Sequence, residues 1–303
     1  MNNVPAPIVL FVYNRPWHTQ QTVEALQKNK LASESELFIY SDDAKNDDAR
    51  VSVDEVRKYI DNITGFKKIT VIKRDKNWGL ASSIIDGVTK IVNKYGRIIV
   101  LEDDLVTSPY FLKFMNDSLE VYEKRNDVFS VTGFNYPKSI LNIPDNYKDD
   151  IYLSYRCMSW TWATWKDRWS KVDWDVKSFH SLKNDKKQME SFNKGGQDLF
   201  TMLKSQMEGN IDSWAVRFCY AHSVNSAFCI YPVKSLVNNE GFDGSGVHCG
   251  NDKGNRLQNK LASIKHVQLK FDIEINDEIV SDFYKISQRS IFQRVKILIR
   301  RLV

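Results

Sequence analysis

The chain has 303 residues, 42% of them hydrophobic, 27% charged and 12% aromatic, with a net charge of +5. Such a chain can bury a full core, and a charge this modest and unevenly spread excludes nucleic-acid binding as its overall function. No apolar run nears the roughly 20 residues that span a bilayer, and residues 8–13 are too short and too poor in preceding basic residues for a secretory leader, so a cytoplasmic protein is expected.

In chain order, residues 8–13 read as a buried strand and 18–27 as a helix opened by Pro16. Residues 37–40 form a second strand, followed by an acidic loop and a helix over 53–62. A third strand at 69–73, a helix at 81–94 and a strand at 97–101 complete an alternation that predicts βαβ units and a mostly parallel sheet. A helix over 109–125 and a strand over 128–132 follow, after which 137–150 reads as a polar loop. Trp160, Trp162, Trp165, Trp169 and Trp174 crowd the next stretch. Of these, Trp162, Trp165 and Trp169 fall at i, i+3 and i+7, the stripe of a core-facing helix. Helices over 197–208 and 214–223, a short strand over 228–231 and a Gly-rich loop over 241–250 come next. From Tyr284 onward Lys and Arg alternate with Ile, Phe, Val and Leu, which suits either a basic amphipathic helix on an anionic membrane surface or a terminal helix docked on the core. Cys157, Cys219, Cys229 and Cys249 lack metal-finger spacing and are expected to be reduced and mostly buried.

The run Ile98-Ile99-Val100-Leu101-Glu102-Asp103-Asp104-Leu105 carries the most chemistry: a buried strand that ends abruptly in three carboxylates. Hard oxygen ligands at a strand end suit Mg²⁺ or Mn²⁺, ions that commonly share their coordination sphere with substrate phosphates. The other polar motifs also stand at strand ends, where open α/β sheets bind ligands: Asn14-Arg15-Pro16 after the first strand and Ser41-Asp42-Asp43 after the second. Asn77-Trp78-Gly79-Leu80-Ala81 opens the helix that leads into the carboxylate strand.

Taken in this order, these segments resemble the GT-A nucleotide-sugar glycosyltransferases, in particular the N-acetylglucosaminyltransferase I type, over about residues 7–114. The resemblance implies an α/β, Rossmann-like GT-A fold: a mostly parallel sheet flanked by helices, with a mixed acceptor-side half. Residues 1–135 would then be the nucleotide-sugar-binding half, 136–270 the acceptor-binding and catalytic half, and 271–303 a basic terminal segment. It further implies Mn²⁺ (or Mg²⁺) held by Asp104 and bridging the donor diphosphate, Asp103 on the ribose or sugar side, and Glu102 on the sugar hydroxyls. The acid after the second strand, Asp42 or Asp43, would pair with a uracil imide, and Asn14, Arg15 and Asn77 would join the donor side. Chemistry agrees with the metal: a departing nucleoside diphosphate concentrates negative charge that a divalent cation offsets.

An inverting transfer also needs a base for the acceptor hydroxyl. Asp212, in Gly209-Asn210-Ile211-Asp212-Ser213-Trp214, resembles the base of the family's Asp-Asp-Trp segment, with Ser213 in place of the second acid. It also stands where a helix N-cap does, and Asp198 is the alternative base. His248 resembles the histidine of the family's Gly-x-Ser-His-Gly loop, which implies contact with the metal or diphosphate. Arg156 and Trp160 are acceptor-side candidates. The expectation is therefore a metal-dependent, inverting hexosyltransferase taking a UDP-sugar, UDP-GlcNAc among them, to a glycan or lipid-linked glycan, peripheral on the inner face of the plasma membrane if the basic segment binds lipid. Two other readings stand beside it. A nucleotidyltransferase acting on sugar phosphates would need a Gly/Lys-rich loop where Asn14-Arg15-Pro16-Trp17 stands, and a non-catalytic carbohydrate-binding protein would keep only the fold and the aromatic cleft.

Overall fold

A computed structural model describes residues 4–244 and 261–286. Its strands are β1 (Ile8–Val12), β2 (Glu36–Ser41), β3 (Lys68–Lys73), β4 (Arg97–Glu102), β5 (Leu105–Thr107), β6 (Val128–Val131), β7 (Ile151–Ser154), β8 (Trp162–Trp165), β9 (Phe228–Pro232) and β10 (Val237–Asn239). The helices are α1 (Pro16–Gln27), α2 (Asp47–Ile60), α3 (Leu80–Tyr95), α4 (Phe111–Val121), α5 (Lys166–Trp169), α6 (Phe179–Asn184), α7 (Lys186–Phe192), α8 (Leu199–Met207), α9 (Trp214–Val224) and α10 (Asp277–Tyr284). One eight-stranded sheet runs β3-β2-β1-β4-β8-β6-β9-β7. The first four strands are mutually parallel, β8 and β7 run against their neighbours, and β6 and β9 pair in parallel. The mostly parallel α/β sheet expected from the sequence is thus present, mixed in its second half.

β1 carries no polar residue because both of its faces are covered, as in parallel sheets generally. Ile8, Leu10 and Val12 join one apolar cluster with Val23 and Leu26 of α1, Val56 and Ile60 of α2, and Leu112 and Met115 of α4. Val9 and Phe11, on the opposite side of the pleat, meet Ile84 and Val88 of α3. Pro16 opens α1, as expected. α2 starts at Asp47, well before position 53: the Asn46 side chain accepts from the Ala49 N–H at 3.2 Å, and Asp47 and Asp48 sit in the first turn, where the helix dipole favours negative charge. The acidic stretch is therefore partly a helix start.

The tryptophan stripe corrects a helical expectation. Trp162 and Trp165 belong to strand β8, and Trp169 ends the single turn of α5. A spacing of three puts Trp162 and Trp165 on opposite faces of a strand, and since both faces are buried here the pattern imitates a helix. The core role itself holds: Trp162 stacks on Trp214 at 4.9 Å and on Trp169 at 5.4 Å between ring centroids. Helix α4 is also shorter than 109–125. Cys157, Cys219 and Cys229 are free thiols and buried, as expected, and Cys249 lies outside the described residues. At the far end, Ile279 and Phe283 of α10 are buried in the core, Phe283 edge-on to Tyr136 and Tyr231. Residues 287–303, most of the basic segment, lie outside the described residues. No helix among the described residues is long and apolar enough to cross a membrane.

Helix α9 is pinned to β6 by a buried histidine. His222 donates from Nδ1 to the Phe218 carbonyl and accepts at Nε2 from the Ser130 hydroxyl, both at 2.8 Å. Burial pushes its pKa down to about 4. Between that value and the ~6.5 of an exposed histidine, the unfolded chain takes up a proton that the native state refuses, so stability rises with pH across this window by up to about 3 kcal/mol. Urea denaturation at pH 7 and pH 4.5 should show this loss on acidification, with a shallower pH dependence in His222→Gln.

Candidate active site

The end of β1 and the end of β4 lie side by side, because Leu10 pairs with Leu101 and Phe11 with Glu102. This register sets Arg15 against the two aspartates that follow β4. Its Nη2 donates to Asp103 Oδ1, and its Nη1 stands 3.0 Å from Asp104 Oδ2. Thr22, in the second turn of α1, fixes the carboxylate turn from behind: its hydroxyl donates to the Asp103 carbonyl at 2.8 Å and accepts from the Leu105 N–H at 3.0 Å.

A strand pair not foreseen in the sequence closes the other side. β10 runs antiparallel to β5 and delivers the 240–243 turn to Asp104, whose carbonyl accepts from the Glu240 N–H at 2.8 Å. Gly241 follows, and a Cβ there would overlap Asp104 Oδ2 and press on Arg15 Nη1 at 3.1 Å. Phe242 next reaches Trp160, with ring centroids 5.4 Å apart. Asp243 meets the buried His18 ring at 3.2 Å. Trp160 is thereby linked through Phe242 to the turn that packs on Asp104.

The charges in this pocket do not balance. Asp103 and Asp104 are 4% and 6% exposed and face one guanidinium, so a negative charge is left over even with the neighbouring Glu102 held toward its neutral form. Burial and then Asp104 and Asp103 push the Glu102 carboxyl up to about 8. Burial also raises Asp103, with Arg15 pulling it back and Asp104 adding to the rise. Burial works against the Arg15 charge, but the two aspartates outweigh it and its pKa rises. Hard carboxylate oxygens carrying excess negative charge fit a divalent cation. Among the described residues no group of three His, Cys, Asp or Glu converges into a complete cage, so such an ion would complete its shell with phosphate and water, as Mg²⁺ and Mn²⁺ do.

Asp42 and Asp43 stand at the end of β2 with different partners. Asp42 is buried and accepts from the backbone N–H groups of Asp43, Trp78 and Gly79 at 3.0, 2.8 and 2.9 Å, which holds the turn into α3. Asp43 is clamped by Arg50 at 2.7 Å and Arg57 at 3.3 Å, and the Arg50 hydrogen bond holds its carboxyl below the usual range. Asn77 donates to the Asp43 carbonyl at 2.7 Å, while Asn14 is half-buried at the end of β1. Arg74 is a residue the sequence reading missed. It directly follows β3, as Arg15 and Asp42 follow their own strands at close range, and strand-end position was the signal available for it. It lies over the Trp78 ring at 4.0 Å and pairs with Asp86 at 2.6 Å. Arg74 Nε and Trp78 Nε1 are buried donors without a hydrogen-bond partner among the described residues.

Arg156, just after β7, and Asp198, just before α8, form a two-pronged ion pair at 2.8 and 3.0 Å. Burial opposes the Arg156 charge, Asp198 outweighs it, and the pKa of Arg156 rises. Gly196, at φ +141°, has no room for a side chain: a Cβ would come within 2.6 Å of Arg156 Nη1 and 2.7 Å of Asp198 Oδ1. Asp212 lies in the loop before α9, its side chain 62% exposed and 3.2 Å from Arg217. It does not cap the helix; Ser213 does, accepting from the Val216 N–H at 3.3 Å. The bonded partner of Asp212 is thus a residue of α9 rather than a group of the carboxylate turn. What fixes its neighbourhood is Trp214, stacked on Trp162, whose backbone pairs with Val100 two residues before Glu102. His248 lies outside the described residues.

The sequence matches the family described as Glycosyl transferase family 2 over residues 8–188. No curated protein matches the chain. Similar solved structures include the mannosyltransferase PcManGT from Pyrobaculum calidifontis in complex with GDP-Man and Mn²⁺, 12% identical at a TM-score of 0.40 over 55% of this chain and 46% of that one. TarS of S. aureus is 11% identical at a TM-score of 0.42, over 78% of this chain and 37% of its own. A UDP-glucose pyrophosphorylase complexed with UDP-glucose is 10% identical at 0.39, over 75% and 90%. The chain thus spans less than half the length of the first two.

The fit of Gly241 against Asp104 is open to test. Gly241→Ala should displace the carboxylate or the turn, lower stability by about 1–3 kcal/mol and weaken Mn²⁺ binding, measured by thermal melting and by titration calorimetry.

Proposed function

The chain belongs to glycosyl transferase family 2, and on that premise we propose that it moves a hexose from a UDP-sugar to a hydroxyl of a glycan or lipid-linked glycan, with inversion. The observation that carries this reading is the burial of Asp103 and Asp104 against a single guanidinium at the end of a central strand. Acidic clusters that serve only solubility stay in water, whereas buried uncompensated carboxylates are costly unless a cation shares them. Asp104 would hold Mn²⁺ or Mg²⁺, which when bound offsets the charge of the departing diphosphate as a Lewis acid. Arg15 supplies a second positive charge at the same strand end.

Uracil fits the strand ends of β2 and β3 on donor and acceptor count. Asp42 Oδ2 accepts one backbone bond and keeps capacity for the imide N–H, while Arg74 Nε and Trp78 Nε1, without a partner among the described residues, suit the two carbonyls. Adenine would turn an acceptor edge toward Asp42. N-acetylglucosamine is one candidate donor sugar, on the resemblance alone. On the acceptor side, Trp160 and Phe242 offer apolar ring surface beside the carboxylates. Asp212 takes the proton from the attacking hydroxyl as the new glycosidic bond forms and the bond to the diphosphate breaks. Its exposure lets it pass that proton on to water. The basic segment beyond Tyr284 suits a lipid-linked acceptor at an anionic membrane face.

A thermal-shift panel of UDP- and GDP-sugars, each with and without Mn²⁺, tests the donor class; UDP-sugars with Mn²⁺ should give the largest stabilisation. Asp104→Ala should abolish the metal-dependent part. Asp212→Asn should keep it and lower turnover by roughly 10²–10⁴-fold. Wild-type turnover in Asp212→Asn would remove it as the base, and Asp198→Asn would then be the variant to assay.

A further inference from the structure

Arg15 is held by its two aspartates in unequal ways. Nη2 makes a hydrogen bond to Asp103 Oδ1, whereas Nη1, 3.0 Å from Asp104 Oδ2, is a buried donor with no aligned hydrogen bond. The Asp104 contact is therefore the more poorly aligned and the weaker of the two attachments; both aspartates hold the Arg15 charge, Asp103 more than Asp104. Asp104 itself has little freedom to turn elsewhere: its carbonyl is tied to the Glu240 N–H, and Oδ2 is packed against Gly241.

From this asymmetry we infer that Arg15 competes with the divalent cation for Asp104, yielding that carboxylate while staying hinged on Asp103. The inference rests on the proposed role of Asp104. Two cations drawn to one buried oxygen repel each other strongly at low effective dielectric, so the cation binds at the expense of the Arg15–Asp104 attraction. A diphosphate removes the conflict, because its oxygens give the released guanidinium a new anionic partner while they share the cation. Arg15 thus acts as a positioning residue that disfavours metal binding without a nucleotide and makes metal and nucleotide bind cooperatively. By linkage, each ligand must then raise the affinity for the other by the same factor.

Equilibrium binding of Mn²⁺ alone, of UDP alone, and of each in the presence of the other tests this on the full chain, using calorimetry and the electron paramagnetic resonance signal of free Mn²⁺. In Arg15→Ala, Mn²⁺ alone should bind about tenfold or more tighter than in wild type, since a neighbouring positive charge has gone. UDP alone should bind about tenfold weaker, having lost a charged donor. The cooperativity between the two should shrink toward none. Arg15→Lys, which keeps one charge but cannot fork across both aspartates, should show the same trend in Mn²⁺ affinity to a smaller degree, and it decides the matter if the alanine variant does not fold. Mn²⁺ affinity unchanged or weakened in the folded variants overturns the inference. Mn²⁺ binding to Asp104→Ala as tight as to wild type would instead overturn the underlying assignment of the metal to Asp104.

Discussion

The ion triad of Arg15, Asp103 and Asp104 is the constraint on which the rest of the arrangement depends. It joins the ends of two adjacent parallel strands, and each charge is largely out of water. Removing one partner from such a group leaves an unpaired buried charge and typically costs about 3–5 kcal/mol, so the register of β1 on β4 and the path of the chain into α1 are both tied to it. Thr22 and Gly241 make sense only in this light: one fixes the turn that presents the carboxylates, the other leaves room for them. A hydrophobic group of equal volume would pack as well. The excess of carboxylate over guanidinium is what points beyond stability to a cation and a phosphate-bearing ligand.

The second half of the chain is organised around the same strand end. β10 returns beside β5 to place Gly241 against Asp104, Phe242 on Trp160 and Asp243 beside His18. Helix α9 hangs from the central sheet by Trp214 on Trp162 and by His222 on Ser130, which sets the Asp212 loop at its amino end. Arg156 and Asp198 hold each other in a cradle that Gly196 leaves open. The family match ends at residue 188, so the Gly241 turn that packs on Asp104 and the two proposed bases, Asp212 and its alternative Asp198, all come from beyond the matched stretch.

The first hundred residues were legible in the sequence because β1, β2 and β4 each carry a buried apolar run that ends in a polar motif, and the alternation with helices located β3 at the edge of the sheet. Those patterns located β1 to β4, and with them Arg15, Asp42 and the carboxylates. Asp42 shows where legibility stopped: its strand-end position was visible, but its hold on the Trp78 and Gly79 backbone was not, because it depends on where the α3 turn returns. β5 and β10 are three residues each, too short for any periodicity, and their pairing bridges more than a hundred positions. The tryptophan stripe misled because a strand buried on both faces loses its alternation. The α9 cap falls one residue after Asp212, since Asp and Ser serve equally well at an N-cap and adjacent candidates look alike in sequence.

The most direct test of the central claim, that Asp104 holds a cation against the donor diphosphate, is the anomalous diffraction of crystals grown with Mn²⁺ and UDP. The account predicts a manganese peak within coordinating distance of an Asp104 carboxylate oxygen and of the diphosphate, with Arg15 still bonded to Asp103. A peak elsewhere in the molecule, with diphosphate bound and Arg15 still on Asp104, would contradict it.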